Sequence, residues 1–545
     1  MAKIRPPKRT LAVIDLETDP FRHGREPMPF AAGYYNGQTY MQFWGDDCVA
    51  KLIDYLLHGC PPHIIYAHNG GKFDYWYMAH AISAPIKFID TRLVKARLGQ
   101  HELRDSYKIL PIPLSAYRKD KIDYAVMERS EREKNRVMIS DYLRSDCVYL
   151  YELIARFREQ FGDVLTIGGA AMREIVHRYN LPKLNATADA MFRPYFHGGR
   201  CEAFEIGKLR PKRGNWKIYD VNSMYPAVMA AKQHPVDQPD YVSNKLPRSG
   251  FYLATIDATS KGALPFRTKQ GLSFPHSRAV FNTTSHEIIA AKKLGLLEIH
   301  KVLQCYVWNN TTTFDQFVDF FMRQKIDAEN SGDKAGRIFA KLLMNNAYGK
   351  FAQNPERFKD FELFINVEKC EAAGYTFAGT LADRVIGSRP AASAEHGWHN
   401  VATAASITGA ARATLLHALH GARRAIYCDT DSIICEALGS EIKIDSAKLG
   451  AWKCEAVADT LYIAAKKIYA AAHKGSFYKP DPPHEQGKTD PEPIKAACKG
   501  APISPEIIAR IACGEIYIAA IEAPSMRIGR GIKFITRTLA RSDKR

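Results

Sequence analysis

The sequence predicts a multidomain protein of the α/β plus α+β class. The chain has 545 residues, which is more than one compact domain usually holds, so we expect two or more domains. Several apolar runs with strand character end in acidic residues, and amphipathic helical stretches lie between them. Hydrophobic residues form 46% and charged residues 25% of the chain, a globular composition that excludes a disordered or fibrous protein.

The charge balance indicates a polyanionic partner. The 76 lysines and arginines exceed the 58 acidic residues, and the net charge is +18. Such an excess attracts nucleic acid first and an anionic membrane second. No apolar stretch reaches the roughly 20 residues of a membrane span, and none of the eleven cysteines forms a CxxC pair. We therefore expect no membrane segment, no zinc ribbon and a reducing cytoplasm.

Three acidic motifs lie in the first 150 residues. LAVIDLETD predicts a buried strand that carries Asp15 and Glu17 on one face. HNGGKFD predicts a turn followed by Asp74, and SDYLRSDCVYLYELIARF predicts an amphipathic helix on which Tyr142 and Asp146 share a face. Each pattern alone also suits an ordinary strand end, turn or helix surface, but adjacent carboxylates repel each other unless a cation lies between them.

Taken in order, these motifs resemble the DxE, Nx(2–3)FD and YxxxD series of the proofreading 3′–5′ exonucleases. The resemblance implies a ribonuclease-H-like domain over residues 1–165 that hydrolyses phosphodiesters with two Mg²⁺ ions, or with Mn²⁺ as a substitute. The implied metal ligands are Asp15, Glu17, Asp74 and Asp146. Tyr142 would orient the attacking water, and Lys119 would contact the scissile phosphate. Asn69 and Phe73 would bind the single-stranded 3′ end. Lys121 is an alternative to Lys119.

A second set of motifs lies far along the chain. NWKIYDVNSMYPAVM predicts a strand that ends at Asp220, followed by a helix with Tyr225. RRAIYCDTDSIIC predicts a β-hairpin with Asp429 and Asp431 at its tip. GRIFAKLLMNNAYGKF predicts a helix between them with a polar stripe of Lys341, Asn345 and Tyr348. Each pattern alone also suits a polar turn or a solvated helix face.

Together these motifs resemble motifs A, B and C of the family B DNA polymerases, although Asn346 stands where motif B usually has serine. The resemblance implies a right-hand fold and transfer of nucleotides by two metal ions. Its implied metal site comprises Asp220, Val221, Asp429 and Asp431, of which Asp220 and Asp431 are the main bridging ligands. The implied nucleotide contacts are Lys325 and Lys341 to the triphosphate, Asn345 on the same stripe, Tyr348 stacking on the base pair, and Tyr225 excluding a ribose 2′-OH.

Two long gaps between the motifs resemble the insertions of the protein-primed subgroup, and we place them near 245–315 and 355–397. Strings such as TIGGAAM, FHGGRCEAFE and LGAWKCE resemble the polymerases of tectiviruses, bacteriophages whose linear genomes are capped by a terminal protein. This resemblance implies a replication protein in the host cytoplasm that acts as a monomer with strand displacement. The implied partners are primer-template DNA, single-stranded DNA, dNTPs and a terminal protein primer.

Two further motifs concern DNA binding. Gly198 and Gly199 of FHGG would let the backbone approach template phosphates closely. Lys467 and Tyr469 resemble the KxY motif that steadies a primer terminus, and the alternative is a basic face of an amphipathic helix. The basic tail RIGRGIKFITRTLARSDKR suits either a solvated end or contacts to phosphates.

These observations predict a polymerase domain over 166–545, after the exonuclease domain. Its parts are the palm at about 186–245 and 398–448, the fingers at about 319–350 and the thumb at about 450–545. Two other hypotheses are a nuclease with a degenerate polymerase half and a non-catalytic nucleic-acid scaffold. The presence of two complete acidic sets argues against both.

Overall fold

The computed structural model describes residues 9–116, 122–182, 186–391, 400–479 and 492–542. Lys119 and Lys121 lie outside the described residues. Among the helices within these ranges, none is long and apolar enough to cross a membrane.

The first acidic motifs lie in an α/β unit. Its elements are β1 (Thr10–Thr18), β2 (Pro29–Tyr35), β3 (Tyr40–Trp44), α1 (Cys48–Asp54), β4 (His63–Ala67), α2 (Asp74–Tyr77), β5 (Ser83–Ile89), β6 (Arg92–Leu98), β7 (His101–Asp105) and α3 (Arg136–Phe161). Strand β1 pairs antiparallel with β2 and parallel with β4. Helix α3 buries Leu143, Cys147 and Leu150, and Gly33 on β2 lets Cys147 approach closely. The predicted strand and amphipathic helix are confirmed.

The strand–turn–helix of the second set follows two connecting helices. These elements are α4 (Ile167–Tyr179), α5 (Ala186–Phe192), β8 (Cys201–Ala203), β9 (Gly207–Leu209), β10 (Trp216–Val221) and α6 (Met224–Ala231). Strand β10 is apolar apart from Lys217 and Asp220, and it buries Trp216 and Ile218 completely. Ser223 adopts a left-handed conformation with φ of 52° at the sharp turn into α6. The predicted strand and helix are confirmed.

The first predicted insertion forms a sheet of its own. Its elements are β11 (Tyr241–Ser243), β12 (Phe251–Lys261), β13 (Phe266–Thr268), β14 (Gly271–Ser273), β15 (His276–Thr284), α7 (Ser285–Lys293) and β16 (Leu297–Trp308). The main sheet has the strand order β11-β16-β12-β15 and is antiparallel. Strand β11 belongs to it, so the sheet begins slightly before the predicted limit at 245.

Two antiparallel helices occupy the predicted fingers. They are α8 (Asp315–Asn330) and α9 (Lys334–Phe351). Asp333 caps α9, because its side chain accepts a hydrogen bond from the backbone N–H of Gly336 at 3.1 Å. The inner faces of the pair bury Phe317, Phe321, Phe339 and Leu343.

The second predicted insertion extends the N-terminal sheet. It contains β17 (Lys359–Phe364), α10 (Val367–Ala372), β18 (Thr376–Leu381) and β19 (Arg384–Pro390). Strand β17 meets β5 at Phe361 and Ile86. The ten-stranded sheet therefore has the order β18-β19-β17-β5-β6-β7-β4-β1-β2-β3.

The DTD hairpin joins β10 in a five-stranded sheet. The remaining elements of this part are α11 (Val401–Gly421), β20 (Tyr427–Asp429), β21 (Ser432–Cys435) and β22 (Trp452–Ala458). The strand order is β22-β10-β21-β20-β8, and the predicted hairpin is confirmed. Because β22 pairs with β10 along its length, this sheet extends past the predicted palm limit at 448 and into the predicted thumb.

The C-terminal part is mainly β-structure. It contains β23 (Thr460–Ala465), β24 (Ile468–Ala472), β25 (Lys495–Cys498), α12 (Pro505–Ala512), β26 (Tyr517–Ala520), β27 (Ser525–Arg527), β28 (Gly531–Lys533) and β29 (Thr536–Leu539). Lys467 lies in the turn between β23 and β24, and Tyr469 lies on β24. The alternative of an amphipathic helix for this motif is therefore wrong.

The C-terminal part contacts both the second insertion and the N-terminal unit. Gly379 on β18 lies against the backbone of Gly529, where a side chain would collide, and Tyr77 contacts Met526. Beside these contacts is a cavity of about 2210 Å³ that is lined by parts of the N-terminal unit, α4, the second insertion and the β27–β28 turn.

Candidate active sites

Four acidic side chains gather at the end of β1. One carboxylate oxygen from each of Asp15, Glu17 and Asp146 lies within 4.8 Å of the others. Asp74 at the start of α2 adds its charge to the group, and its buried Oδ1 has no hydrogen-bond partner among the described residues. We call these four residues the N-terminal acid cluster.

The carboxyl groups of the cluster have raised pKa values, as expected for negative charges that are buried together without a neighbouring positive charge among the described residues. Burial raises the pKa of Glu17 to about 8, and repulsion from Asp146 and Asp74 adds to this. Burial also raises the pKa of Asp74 to about 7 and that of Asp15 well above its usual value. Carboxylates in such a site ionise fully only when cations accompany them. Hard oxygen donors, one of them without a partner, fit divalent metal ions.

Two tyrosines lie beside this cluster. Tyr142 precedes Asp146 by one turn of α3, and burial raises its phenol pKa. Its side chain interacts with that of Tyr124. No role for Tyr124 was predicted from the sequence, because this residue lies in a short turn without periodicity.

Asn69 and Phe73 flank the cluster on the turn before α2. Asn69 adopts a left-handed conformation with φ of 65°, and its Oδ1 accepts a hydrogen bond from Arg92 Nη1 at 2.7 Å. The same Nη1 contacts Asp105 Oδ2 at 2.5 Å. Phe73 packs edge-on against Phe21 at 5.6 Å. Arg92, Asp105 and Phe21 were not predicted, since only the tertiary fold brings them to this turn.

The pairing of β10 with β21 brings Asp220 and Asp431 together. Asp220 lies opposite Ser432, and Val221 N–H donates to the carbonyl of Asp431 at 2.8 Å. Burial raises the pKa of Asp220 to about 7, and the charge of Asp431 contributes to this shift. Burial likewise raises the pKa of Asp431. We call Asp220 and Asp431 the palm acid pair; as in the first cluster, the donors fit divalent cations.

Asp429 has a different environment from the palm acid pair. Its carboxylate accepts hydrogen bonds from Lys467 Nζ at 2.6 and 2.8 Å. Lys467 N–H donates to the Tyr427 hydroxyl at 2.9 Å, and Tyr469 packs on the Tyr427 ring at 5.0 Å. The structure therefore joins the KxY motif to the DTD tip through Asp429.

A third acidic residue lies near the palm acid pair. Glu455 on β22 contacts Lys453 at 2.9 Å and Lys495 at 2.6 Å. Its charge contributes to the raised pKa values of Asp220 and Asp431. Glu455 belongs to the string LGAWKCE, and no role for it was predicted from the sequence.

Two predicted aromatic residues meet in front of the palm acid pair. The rings of Tyr225 on α6 and Tyr348 on α9 stack at 3.9 Å with an interplanar angle of 20°. Burial raises the pKa of both hydroxyls. Lys341 and Asn345 lie further towards the start of α9, and Lys341 is exposed. Lys325 is on the neighbouring helix α8 and is partly exposed.

The two glycines of FHGG have different surroundings. A Cβ at Gly199 would lie 2.5 Å from Thr430 Oγ1, whereas a Cβ at Gly198 would meet nothing within 4 Å. Thr430 N–H also donates to the carbonyl of Arg200 at 2.6 Å. Gly199 is thus required by the DTD turn, and only Gly198 faces open space.

Comparison with known proteins identifies the family of this chain. The family description "DNA polymerase type B, organellar and viral" matches residues 71–376. The DNA-directed DNA polymerase of Enterobacteria phage PRD1 is 40% identical over 548 residues, covering 97% of each chain. This chain belongs to the type B DNA polymerases. The resemblance to the protein-primed members of family B is confirmed, and the protein is a DNA-directed DNA polymerase.

Other relatives of this type B polymerase agree on the fold. The DNA polymerase of Bacillus phage Nf is 25% identical over 418 residues, which cover 67% of this chain and 66% of that polymerase. Phi29 DNA polymerase, solved with primer-template DNA and incoming nucleotide substrates, superposes with a TM-score of 0.73 at 20% identity, covering 98% of this chain and all of that one. The predicted fold of an exonuclease-type domain followed by a right hand is confirmed.

Proposed function

We propose that this polymerase uses two separate Mg²⁺ sites, one for DNA synthesis and one for 3′–5′ proofreading. The palm acid pair would serve synthesis, and the N-terminal acid cluster would serve excision. The observation that carries the proposal is that each site gathers partly or fully buried carboxylates with raised pKa values from remote parts of the chain. Mn²⁺ would substitute, because both ions favour oxygen ligands.

For synthesis, Asp220 and Asp431 would hold the ions together with the main chain at Val221. Bound cations would lower the pKa of the primer hydroxyl and would neutralise negative charge on the phosphate during in-line displacement. Lys341 and Lys325 would contact the triphosphate, and Asn345 lies on the same face of α9 as Lys341. Gly198, Lys467 and Tyr469 would hold the template and the primer terminus, and Asp429 would orient Lys467 through their ion pair.

The stacked tyrosines would select the substrate. Tyr348 would contact the nascent base pair, and Tyr225 would occupy the space of a ribose 2′-OH. Their parallel rings, 3.9 Å apart, support each other, so neither can move aside without losing this contact. The pair therefore favours deoxynucleotides.

For excision, Asp15, Glu17, Asp74 and Asp146 would hold the metal ions. Tyr142 would orient the attacking water through its hydroxyl, and Tyr124 lies beside it. Asn69 and Phe73 would hold the single-stranded 3′ end, and Lys119 would contact the scissile phosphate. Asn69 presents its amide N–H₂ group away from Arg92, because its oxygen is already bound.

We also propose initiation from a terminal protein on a linear genome, with the polymerase acting as a monomer in the cytoplasm of a host cell. The similarity to the polymerase of phage PRD1 supports this subgroup. Incubation with labelled dATP or dGTP, Mg²⁺ and a candidate terminal protein tests the priming step. Covalent label on that protein is the expected result, and label found only in free DNA would contradict protein priming.

The two-site proposal is tested by separate variants on one labelled primer-template. Asp220→Asn should abolish extension and retain excision of single-stranded DNA, whereas Asp15→Ala should do the reverse. Asp257→Asn, at a partly buried acid on β12 that pairs with Arg278, is the matched control and should retain both. Loss of both activities in either folded site variant would contradict the proposal.

A further inference from the structure

The tip of the fingers hairpin is attached to a helix of the N-terminal domain. The turn between α8 and α9 ends at Asp333, and Arg156 on α3 forms a paired ion contact with it. Arg156 Nη1 donates to Asp333 Oδ1 at 2.7 Å, and Nη2 donates to Oδ2. Two parallel bonds of this kind fix orientation as well as distance.

Asp333 serves two purposes at this contact. Its Oδ1 also accepts the N–H of Gly336 and so caps α9. Gly336 has no room for a side chain, because a Cβ would lie 2.7 Å from Arg156 Nη2. The guanidinium is therefore packed directly on the first turn of α9, and this contact couples the N-terminus of that helix to α3.

An aromatic cluster extends the contact on its buried side. Phe157 packs against Phe339 at 5.6 Å, and Phe161 packs against Phe321 at 6.3 Å. Gln160 Nε2 adds a hydrogen bond to Gln324 at 3.3 Å. These contacts place one face of α3 on both fingers helices.

Helices α3 and α9 each carry residues of a proposed active site. Asp146 lies ten residues before Arg156 on α3, about 15 Å along the helix axis. Lys341 lies eight residues after Asp333, about 12 Å along α9. A helix is stiff over such lengths, so a constraint at Asp333 also limits where Lys341, Asn345 and Tyr348 lie.

We propose that Arg156, although part of the N-terminal domain, is a positioning residue for nucleotide binding in the fingers. By holding Asp333 it fixes the start of α9, and thereby the side chains that meet the incoming nucleotide. The proposal rests on the assignment of Lys341 and Tyr348 to the nucleotide site. It predicts an effect on the KM for dNTPs and none on excision.

The test measures steady-state extension of a primer-template and, separately, excision of single-stranded DNA by the full-length protein. Arg156→Met removes the charge and keeps the aliphatic stem. Asp333→Asn removes the charge and keeps a capping oxygen. Each should raise the KM for dNTPs by about threefold to fivefold, the size expected for a partly exposed ion pair, with kcat changed by less than about twofold.

A double-mutant cycle tests whether loss of the Arg156–Asp333 contact is the cause of the raised KM. The variant with both substitutions should be no worse than either single one, since the same contact is lost. Arg156→Lys, which keeps the charge but only one bond, should have an intermediate KM. Arg278→Met removes a comparable two-bond contact to Asp257 on β15 and β12 and should leave the KM unchanged.

Excision by each variant shows that the variant is folded. If one variant proves unstable and loses excision, the KM of the other still tests the contact. A KM within twofold of the wild type in both single variants, or additive effects in the double variant, would overturn the proposal. Lys341→Ala in the same assay tests the nucleotide site by itself. A raised KM there with unchanged Arg156 variants would reject the positioning role while keeping the proposed function.

Discussion

At the residue scale, the N-terminal acid cluster should destabilise the metal-free protein. Glu17 has a pKa of about 8 in the folded state against 4.5 in an open chain. The folded state therefore binds the proton more tightly, and stability falls as the pH rises from about 4.5 towards 8. Ionised carboxylates in the cluster gain a compensating charge only when cations bind.

Glu17→Gln should accordingly raise the Tm of the metal-free protein at pH 8, by an amount that corresponds to about 4 kcal/mol. The increase should shrink towards pH 5, where the folded wild type is already protonated at this position. Thermal melts in EDTA at the two pH values measure it. An increase in Tm that is equal at both pH values would contradict an effect of Glu17 protonation.

The tyrosine stack makes a second residue-scale prediction. Tyr225→Val should lower discrimination against ribonucleotides by at least about tenfold, because it removes the ring that we propose fills the 2′ position. Tyr225→Phe keeps the ring and should remain selective. Single-nucleotide incorporation with dNTPs and rNTPs measures the ratio, and unchanged selectivity in the valine variant would remove the role of Tyr225 as a gate.

The same scale shows what the sequence could and could not predict. Residues inside motifs, such as Asp15, Asp74, Asp220 and Asp431, were predicted because the order of their motifs along the chain resembles that of the exonucleases and the family B polymerases. Tyr124, Arg92 and Glu455 were not, since nothing in their local sequence differs from ordinary polar positions. Their roles arise from partners that are remote in the chain.

At the element scale, the DTD turn requires a residue without a side chain, Gly199, in the neighbouring segment. Gly199→Ala would place a Cβ about 3.0 Å from Thr430 Cβ and closer to its hydroxyl. The turn would have to shift, so the Tm should fall by an amount that corresponds to about 1–3 kcal/mol. Gly198→Ala meets open space and should leave the Tm unchanged. Equal effects in the two variants would contradict the packing explanation.

Element types were largely predictable, and sheet membership was not. The strand at Asp220, the hairpin at Asp429 and the helix at Tyr142 follow from periodicity and turn chemistry. Strand β17 carries no local signal that it joins β5, and β22 carries none that it pairs with β10. Such pairings depend on contacts between distant segments, which a single sequence does not encode in its pattern.

At the scale of the whole molecule, one buried core runs through the N-terminal domain, the fingers and the palm. It includes Ile139 and Phe157 on α3, Phe339 on α9 and Ile407 on α11. Because apolar packing is continuous across these parts, we expect them to lose their structure together.

Phe157→Ala should therefore lower the temperature of half-inactivation for extension and for excision by similar amounts. The loss of a fully buried phenylalanine costs about 3–5 kcal/mol. Phe377→Ala, at a half-exposed ring on β18, should leave both temperatures unchanged. Heating aliquots and assaying each activity at low temperature provides the measurement. Separate inactivation temperatures for the two activities would contradict a shared core.

The close approach of Gly379 to Gly529 has a structural consequence. A Cβ at position 379 would lie 2.3 Å from the carbonyl oxygen of Gly529, and a backbone atom cannot rotate away as the end of a side chain can. Any residue other than glycine at position 379 would therefore push β18 away from the β27–β28 turn. The docking of the C-terminal part on the second insertion thus depends on a position that carries no side chain.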